Sequence, residues 1–442
     1  MSRRTSVLAT IALAVMATVT PSAASAAQEN AAVIRPTAAS GDACTAENVV
    51  YAPQTPEALP LLGAEEANRL ATGKGIVVAV VDSGIDAGNP HLTPAIIGGV
   101  DLVGDGERAD GLSDLTGHGT AIAGQIAARP VAGSGVIGLA PDAQLLSVRV
   151  FRSDSDQDVK AGFGPTSQRI ADGIHWAADN GADVINVSLS QITDSPELRN
   201  AVEHAAAVGA LVVASGGNRA SDPDAEDGPR YPAGYEQVLG VTATGADGRV
   251  TEDSIHGPQV DVAAPGGNVL TAAAGAGDCV FAGDAPAASY ATAYVSAAAA
   301  LVAQAHPEDP PAGWAYRLTA TALRADPDRR DDIDGWGFIQ PSAAMKLLPD
   351  RSTRGPVSPF FDTTEAADRP AGAAITPDHS APAFLLTRDA ALYAAVGGAS
   401  LLCVVGTLIV LRRRRAAVAL AGTQPEERRG GLLERDESVE QY

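Results

Sequence analysis

The run Ile76-Val77-Val78-Ala79-Val80-Val81 is apolar at every position and ends in Asp82-Ser83-Gly84. A strand with one face in water alternates polar and apolar residues, so an unbroken apolar run belongs in a sheet covered on both faces. Ala210-Leu211-Val212-Val213-Ala214 has the same character. The pattern predicts strands at 76–81, 143–151, 182–189, 210–215 and 238–243. Helices are expected at 118–128, 167–179, 196–208, 289–305 and 312–324. The one at 196–208 is well signalled. Ser195 can cap it, Pro196 suits its first turn, Glu197 favours the positive dipole end and Gly209 stops it. Strands alternating with helices make an α/β domain with a mostly parallel central sheet.

In such sheets the active site lies at the carboxyl ends of the strands, and Asp82 ends the first one. The segment Thr116-Gly117-His118-Gly119-Thr120 opens a small, apolar helical stretch, and its glycines mark a place where backbone must approach something closely. Ser289 opens a second stretch of small residues. A serine at a helix N-terminus meets free backbone N–H groups and the positive dipole end, which suit an oxyanion. Leu211 to Ala214 runs into Ser215-Gly216-Gly217-Asn218, which puts a side-chain amide donor at a strand end. Each feature has a bland counterpart: a capping aspartate, a Gly-His-Gly turn, an N-cap serine, a Gly-Gly-Asn turn. Together, acid then histidine then serine follow one of the chain orders of Ser-His-Asp catalysis. Ser289 is then the nucleophile, His118 the general base and later acid, Asp82 the group that orients it, and Asn218 an oxyanion donor. His91, His175, His204, His256, His306 and His379 read as structural or solvent-facing. No Cys or His spacing suggests a metal site, and neither metal nor cofactor is expected.

The chain ends carry different signals. Arg3 and Arg4, an apolar run from Val7 to Val19 and Ala24-Ser25-Ala26 make residues 1–27 a secretory signal peptide, cut after Ala26 or Ala27. Residues 390–411 carry no charge and are long enough to cross a bilayer core of roughly 30 Å. Arg412 to Arg415 follow, which orients the tail at 412–442 to the cytoplasm. Residues 28–72 read as an extended arm with a helix from Glu57 to Leu70, residues 73–349 as the catalytic domain, and 350–389 as a flexible linker. The expected protein is single-pass in the cell membrane, with its domain outside. With 53 acidic against 31 basic residues and a formal charge of −22, it is a poor partner for nucleic acid. Of three cysteines, Cys403 falls in the span, which leaves Cys44 and Cys279 to pair in the exported part.

Val80-Val81-Asp82-Ser83-Gly84-Ile85, Gly117-His118-Gly119-Thr120, Ile185-Asn186-Val187-Ser188-Leu189-Ser190, Gly217-Asn218 and Ser289-Tyr290-Ala291-Thr292-Ala293-Tyr294-Val295-Ser296 resemble the subtilisin-like serine proteases. The likeness covers roughly residues 60 to 348 and implies that family's three-layer fold. It also implies that Ser188, Leu189, Ser190, Gly216 and Gly217 bind substrate, with strand addition of an extended peptide along Ser188–Ser190 and a second flanking strand near Gly162 to Pro165. The leader, the cysteine-bearing arm and the C-terminal span make the architecture similar to the mycosins, the membrane-anchored proteases of actinobacterial type VII secretion. That likeness implies protein or peptide substrates and type VII membrane components as partners. The family's Gly-Thr before the nucleophile is Ala287-Ala288 here, and its proline four residues after is Ala293. Lost glycine freedom and a lost fixed φ predict a slightly displaced, slower nucleophile. A second reading is therefore a structural subunit of a membrane complex with a weak or inactive protease fold.

Overall fold

The computed structural model of the chain describes residues 49–219, 225–275, 277–361 and 405–413. The chain divides into two units, Met1–Ala367 and Asp368–Tyr442. In the first, seven strands form one sheet: β1 (Val77–Asp82), β2 (Ile96–Asp101), β3 (Gln144–Arg149), β4 (Val184–Val187), β5 (Leu211–Ser215), β6 (Val238–Thr244) and β7 (Val262–Pro265). Their order is β2-β3-β1-β4-β5-β6-β7, and every pairing is parallel. From β1 the chain goes to β2 at one edge, returns to β3 between β2 and β1, and then builds outward through β4 to β7 on the other side. The order therefore reverses between β1 and β4, and the crevice beyond their carboxyl ends is where such sheets hold their ligands.

Two helical layers cover the sheet. One contains α3 (His118–Ala127) and α7 (Ala288–Ala305), the other α5 (Ser167–Asp179) and α6 (Pro196–Val208). Successive residues of β1 point to opposite layers. Val78 and Val80 join the α3–α7 core, whereas Ala79 and Val81 join the α5–α6 core, so the run has no polar position to spare. Helix α7 is buried from Ala288 to Ala303, as expected of a helix apolar on all sides, and its alanines let strands and helices pack close around it.

The expected strands and long helices all form; the helices at 167–179 and 196–208 keep their expected bounds, and the other elements shift by one to four residues at their ends. Other elements had weak local signals. The edge strand β2 contains Gly98 and Gly99 and breaks register near Ile96, and β7 ends in Pro265 at the other edge. The antiparallel pair β8 (Val269–Ala273) and β9 (Gly277–Phe281) was not expected, nor were the short helices α4 (Asp156–Lys160) and α9 (Pro341–Lys346). The helix expected from Glu57 to Leu70 is two, α1 (Ala58–Leu61) and α2 (Ala64–Leu70), because Gly63 between them takes φ 61°. The expected C-terminal helix is α8 (Pro311–Ala320), four residues shorter than its pattern at that end. Ala58, Leu59, Leu62, Ala64 and Ala67 belong to the same core as α7, so this part of the arm is packed. Gly162 to Pro165 forms no strand; it is a loop following α4. Of the expected membrane span, residues 390–404 lie outside the described residues and 405–413 are helical. Among the described residues no helix is long and apolar enough to cross a membrane.

One buried charge network fixes the β2–β3 edge beside the crevice. Arg149, wholly inaccessible, donates from Nη1 to Asp101 at 2.7 Å and Asp105 at 2.9 Å, and from Nη2 to Asp105 at 2.7 Å. The hydrogen bond from Arg149 holds the Asp105 carboxyl below its ordinary pKa, against the opposing effect of burial. The stabilisation is therefore present above the unfolded carboxylate pKa and is lost as pH falls through the lowered folded value. Arg149→Ala would strand two carboxylates away from water. At pH 7 it is expected to cost about 3–5 kcal/mol, measured by denaturant unfolding in a Ser289→Ala background that prevents autolysis. A loss below about 1 kcal/mol would show that the carboxylates find other partners.

Candidate active site

Asp82, the last residue of β1, is wholly buried. Its Oδ1 accepts from the backbone N–H of Ser83 at 2.8 Å and lies 2.7 Å from His118 Nδ1. His118 is the first residue of α3, after Gly117 at φ 80°. Its Nε2 lies 3.1 Å from Ser289 Oγ. Three residues far apart in the chain thus form one hydrogen-bonded line. The side chain of His118 is 24% exposed at the crevice, whereas that of Asp82 is fully enclosed.

The glycines beside His118 have separate reasons. A Cβ on Gly119 would fall 2.1 Å from the Gly84 carbonyl oxygen, and one on Gly84 would fall 2.1 Å from that of Ser113. The Asp-Ser-Gly and Gly-His-Gly segments therefore touch through backbone, which only glycine permits. Sequence reasoning missed Asp114, which ties them together. Its Oδ1 accepts from Ser83 Oγ at 2.9 Å and Gly117 N at 2.9 Å, and its Oδ2 from Thr120 N at 2.8 Å and Thr120 Oγ1 at 2.6 Å. Ser83 Oγ in turn accepts from Gly119 N at 3.0 Å. An aspartate three residues before Gly117 is a local signal for such a cap, but nothing in the sequence separates it from the other acids nearby. Burial pulls the His118 pKa down. The charge and hydrogen bond of Asp82, helped by Asp114 and Asp154, outweigh burial, and the net shift is upward.

Ser289 is the second residue of α7, not its cap; Ala287 holds the cap position. Its hydroxyl is thus free to face His118. Ala287 adopts φ −120°, ψ 132°, an extended conformation open to any residue, so alanine in place of glycine adds no strain. Ala293 sits inside an unbroken helix. Ser289 Oγ lies within hydrogen-bond reach of His118 Nε2, at 3.1 Å. Tyr290 lays its ring against the imidazole, with centroids 5.3 Å apart, a neighbour that the sequence did not single out.

Asn218 follows β5, and its Oδ1 accepts the backbone N–H of Ala288. That donor dictates which end of the amide faces α7. Nδ2 is left directed elsewhere and has no protein acceptor among the described residues. Ser289 N–H, in the first turn of α7, likewise has none. Around the crevice, Leu189 and Ser190 make no backbone hydrogen bond among the described residues. The Ser188 hydroxyl is turned inward, donating to the Ser289 carbonyl at 3.0 Å. The polar groups of Gly216 are already used: its N–H donates to Val241 O and its carbonyl accepts from Gln259. Gly217, at φ 102°, donates to Ser215 Oγ and accepts from Ile255 N. These two glycines can offer a substrate space but not main-chain bonds. At Gly162–Pro165, Phe163 O accepts from Arg152 N, and Arg169 reaches the carbonyls of Gly162 and Gly164.

The remaining described histidines lie away from the site. His91 is fully buried between the Arg129 carbonyl and Asp278, His175 and His204 pack together, His256 faces Asp227, and His306 meets Met345 O. His379 and Cys44 lie outside the described residues. Cys279 is buried in β9. Among the described residues no cluster of three or more His, Cys, Asp or Glu side chains is placed to hold a metal.

Comparison with known proteins agrees with this geometry. The subtilase (peptidase S8) family model matches residues 73–337. The major intracellular serine protease of Bacillus subtilis is 36% identical over 229 residues, covering 51% of this chain and 69% of its own. Mycosin-1 of Mycobacterium tuberculosis is 37% identical over 300 residues, covering 58% of this chain and 66% of its own. Among solved structures, the MycP3 protease from the type VII (ESX-3) secretion system superposes with a TM-score of 0.59 at 29% identity, over 68% of this chain and 92% of that one. MycP1 from Mycobacterium smegmatis gives 0.59 at 30% identity, over 72% and 93%. The chain belongs to the subtilase family and is a subtilisin-like serine endopeptidase related to the mycosins.

Proposed function

We propose that Asp82, His118 and Ser289 are the catalytic triad and that Asn218 serves the oxyanion hole. The observation that carries this reading is the unbroken line of hydrogen bonds from Asp82 through His118 to Ser289 Oγ. His118 takes the hydroxyl proton as Ser289 Oγ attacks the peptide carbonyl carbon. The same imidazolium then protonates the leaving amine as the C–N bond breaks, leaving an acyl-enzyme. Water, deprotonated by His118, releases the acid and restores the serine. Asp82 keeps Nδ1 protonated and offsets the imidazolium charge. The free Asn218 Nδ2 and Ser289 N–H are the two donors for the developing oxyanion. The unused backbone of Leu189 and Ser190 supports main-chain pairing with an extended peptide, with Gly216 and Gly217 providing clearance.

The leader, the apolar run at 390–411 and its arginines support an enzyme anchored in the cell membrane with its catalytic domain outside. Two structural relatives are described as type VII secretion proteases, which supports the same association here. Cys279, buried in β9, is the proposed partner of Cys44. It follows Asp278, whose N–H donates to Val50 O and whose Oδ2 accepts Ala52 N at 2.8 Å. This seating of the arm beside Cys279 supports pairing with Cys44.

A fluorophosphonate probe should label the purified ectodomain, and Ser289→Ala should abolish labelling; an unlabelled wild type would return the chain to the structural-subunit reading. The raised His118 pKa means that the neutral base forms only at higher pH. The acid limb of kcat/KM on a peptide substrate is therefore expected above the ordinary histidine value of ~6.5, and a limb at or below that value would contradict the assigned electrostatics. Loss of the oxyanion asparagine in subtilisin costs ~10²–10³ in kcat. Asn218→Ala should cost about as much here with little change in KM, and an unchanged kcat would make Asn218 a turn residue. Protease shaving of intact cells should remove the catalytic domain and spare residues 412–442; loss of the tail alone would reverse the orientation.

A further inference from the structure

Three polar side chains lie in the otherwise apolar contact between β4 and α7. Ser296 Oγ donates to Asn186 Oδ1 at 2.9 Å, Asn186 Nδ2 donates to Ser188 Oγ at 2.9 Å, and Ser188 Oγ donates to the Ser289 carbonyl at 3.0 Å. Asn186 and Ser296 are wholly inaccessible, Ser188 is 5% exposed and Ser289 6%. Burying such groups is costly unless each is bonded. The chain of bonds runs one way, because each hydroxyl has a single proton and the amide nitrogen can only donate.

Its geometry explains why the groups are there. Asn186 shares the α7-facing side of β4 with Val184, which lies in the α7 core. Ser289 and Ser296 are seven residues apart, two turns of one helix face. The relay thus joins β4 to α7 at two heights on the same stripe. A slide of α7 along its axis by about an ångström would strain bonds at both heights at once, whereas contacts between alanines and valines have no such directional preference. His118 reaches Ser289 from α3, on the other side of the nucleophile. The height of Ser289 Oγ relative to His118 Nε2 is therefore set by where β4 holds α7.

We propose that Ser188, Asn186 and Ser296 form a positioning relay that fixes the axial register of the nucleophile helix. The inference rests on the reading of Ser289 as nucleophile. It moves the Ser188 side chain from the substrate-lining role that the family likeness implied to a place behind the reacting serine. The relay touches no substrate; it acts through the Ser289 backbone.

The test compares Ser188→Ala, Ser296→Ala and the double variant with wild type in the full ectodomain. Misplacement by about 1 Å can cost ~10²-fold, so Ser188→Ala should lower kcat by ~10–100-fold with KM within about twofold, and should slow fluorophosphonate labelling by the same factor. Ser296→Ala removes the far end of the relay, two turns from the nucleophile, and should have the same effect in smaller measure. The double variant should be no slower than Ser188→Ala alone, because both break one device. Ser188→Thr, which keeps the hydroxyl, should recover most of the rate. If Ser188→Ala fails to fold, Ser296→Ala alone decides. Wild-type kcat and labelling rate in a folded Ser296→Ala or Ser188→Ala protein would overturn the relay while leaving the triad intact. An unlabelled wild type, or labelling that survives Ser289→Ala, would instead overturn the triad reading on which the relay depends.

Discussion

The structure depends on one close backbone contact, that between Gly84 after β1 and Gly119 in the first turn of α3. A methyl group on Gly119 would meet the Gly84 carbonyl oxygen at 2.1 Å, and one on Gly84 would meet that of Ser113 at 2.1 Å. This approach brings a buried aspartate at a strand end within 2.7 Å of a histidine 36 residues away. Asp114 then locks the contact by accepting from both segments, through Ser83 on one and Gly117 and Thr120 on the other. The Asp82–His118 pair is thus held by backbone proximity and one capping carboxylate.

Buried polar networks recur wherever a loop or helix must keep its register near the crevice. Arg149 gathers Asp101 and Asp105 at the β2–β3 edge. His91 and Asp278 join the turn after β1 to β9, and Asp278 also holds the arm through Ala52 and the loop after α3 through Ser134. Asn186, Ser188 and Ser296 lie under the nucleophile. In each case the groups are almost fully paired, as a low-dielectric interior requires. Packing supplies most of the stability, whereas these networks select one arrangement among several that apolar contacts would tolerate.

The departures from the family pattern around Ser289 sit in ordinary backbone conformations. Glycine before the nucleophile suggests a conformation that alanine cannot take, yet Ala287 sits at φ −120°. Proline four residues after the serine would fix φ there, whereas Ala293, the sixth residue of α7, keeps a backbone donor in a helix buried from Ala288 to Ala303. The direction of the Ser188 side chain is a further point that the local pattern leaves open. The residue occupies the expected strand end, but a side chain there can face the crevice or the helix behind it, and only Asn186 and the Ser289 carbonyl decide which.

The sequence by itself determined the layered α/β fold, because continuous apolar strands and 3.6-period helices admit few other arrangements. It also placed Asp82, His118, Ser289 and Asn218 at element ends, where side chains converge. Elements lacking strong local signals were not legible: β2 with its glycines and β7 with its proline pair with strands distant in the chain, and the β8–β9 hairpin packs on α3 and meets the arm at Val50. Only the tertiary structure decided which of many aspartates caps α3, which ring packs on His118, and which way Ser188 points. These outcomes depend on distances between residues from different elements, and sequence spacing carries no information about them.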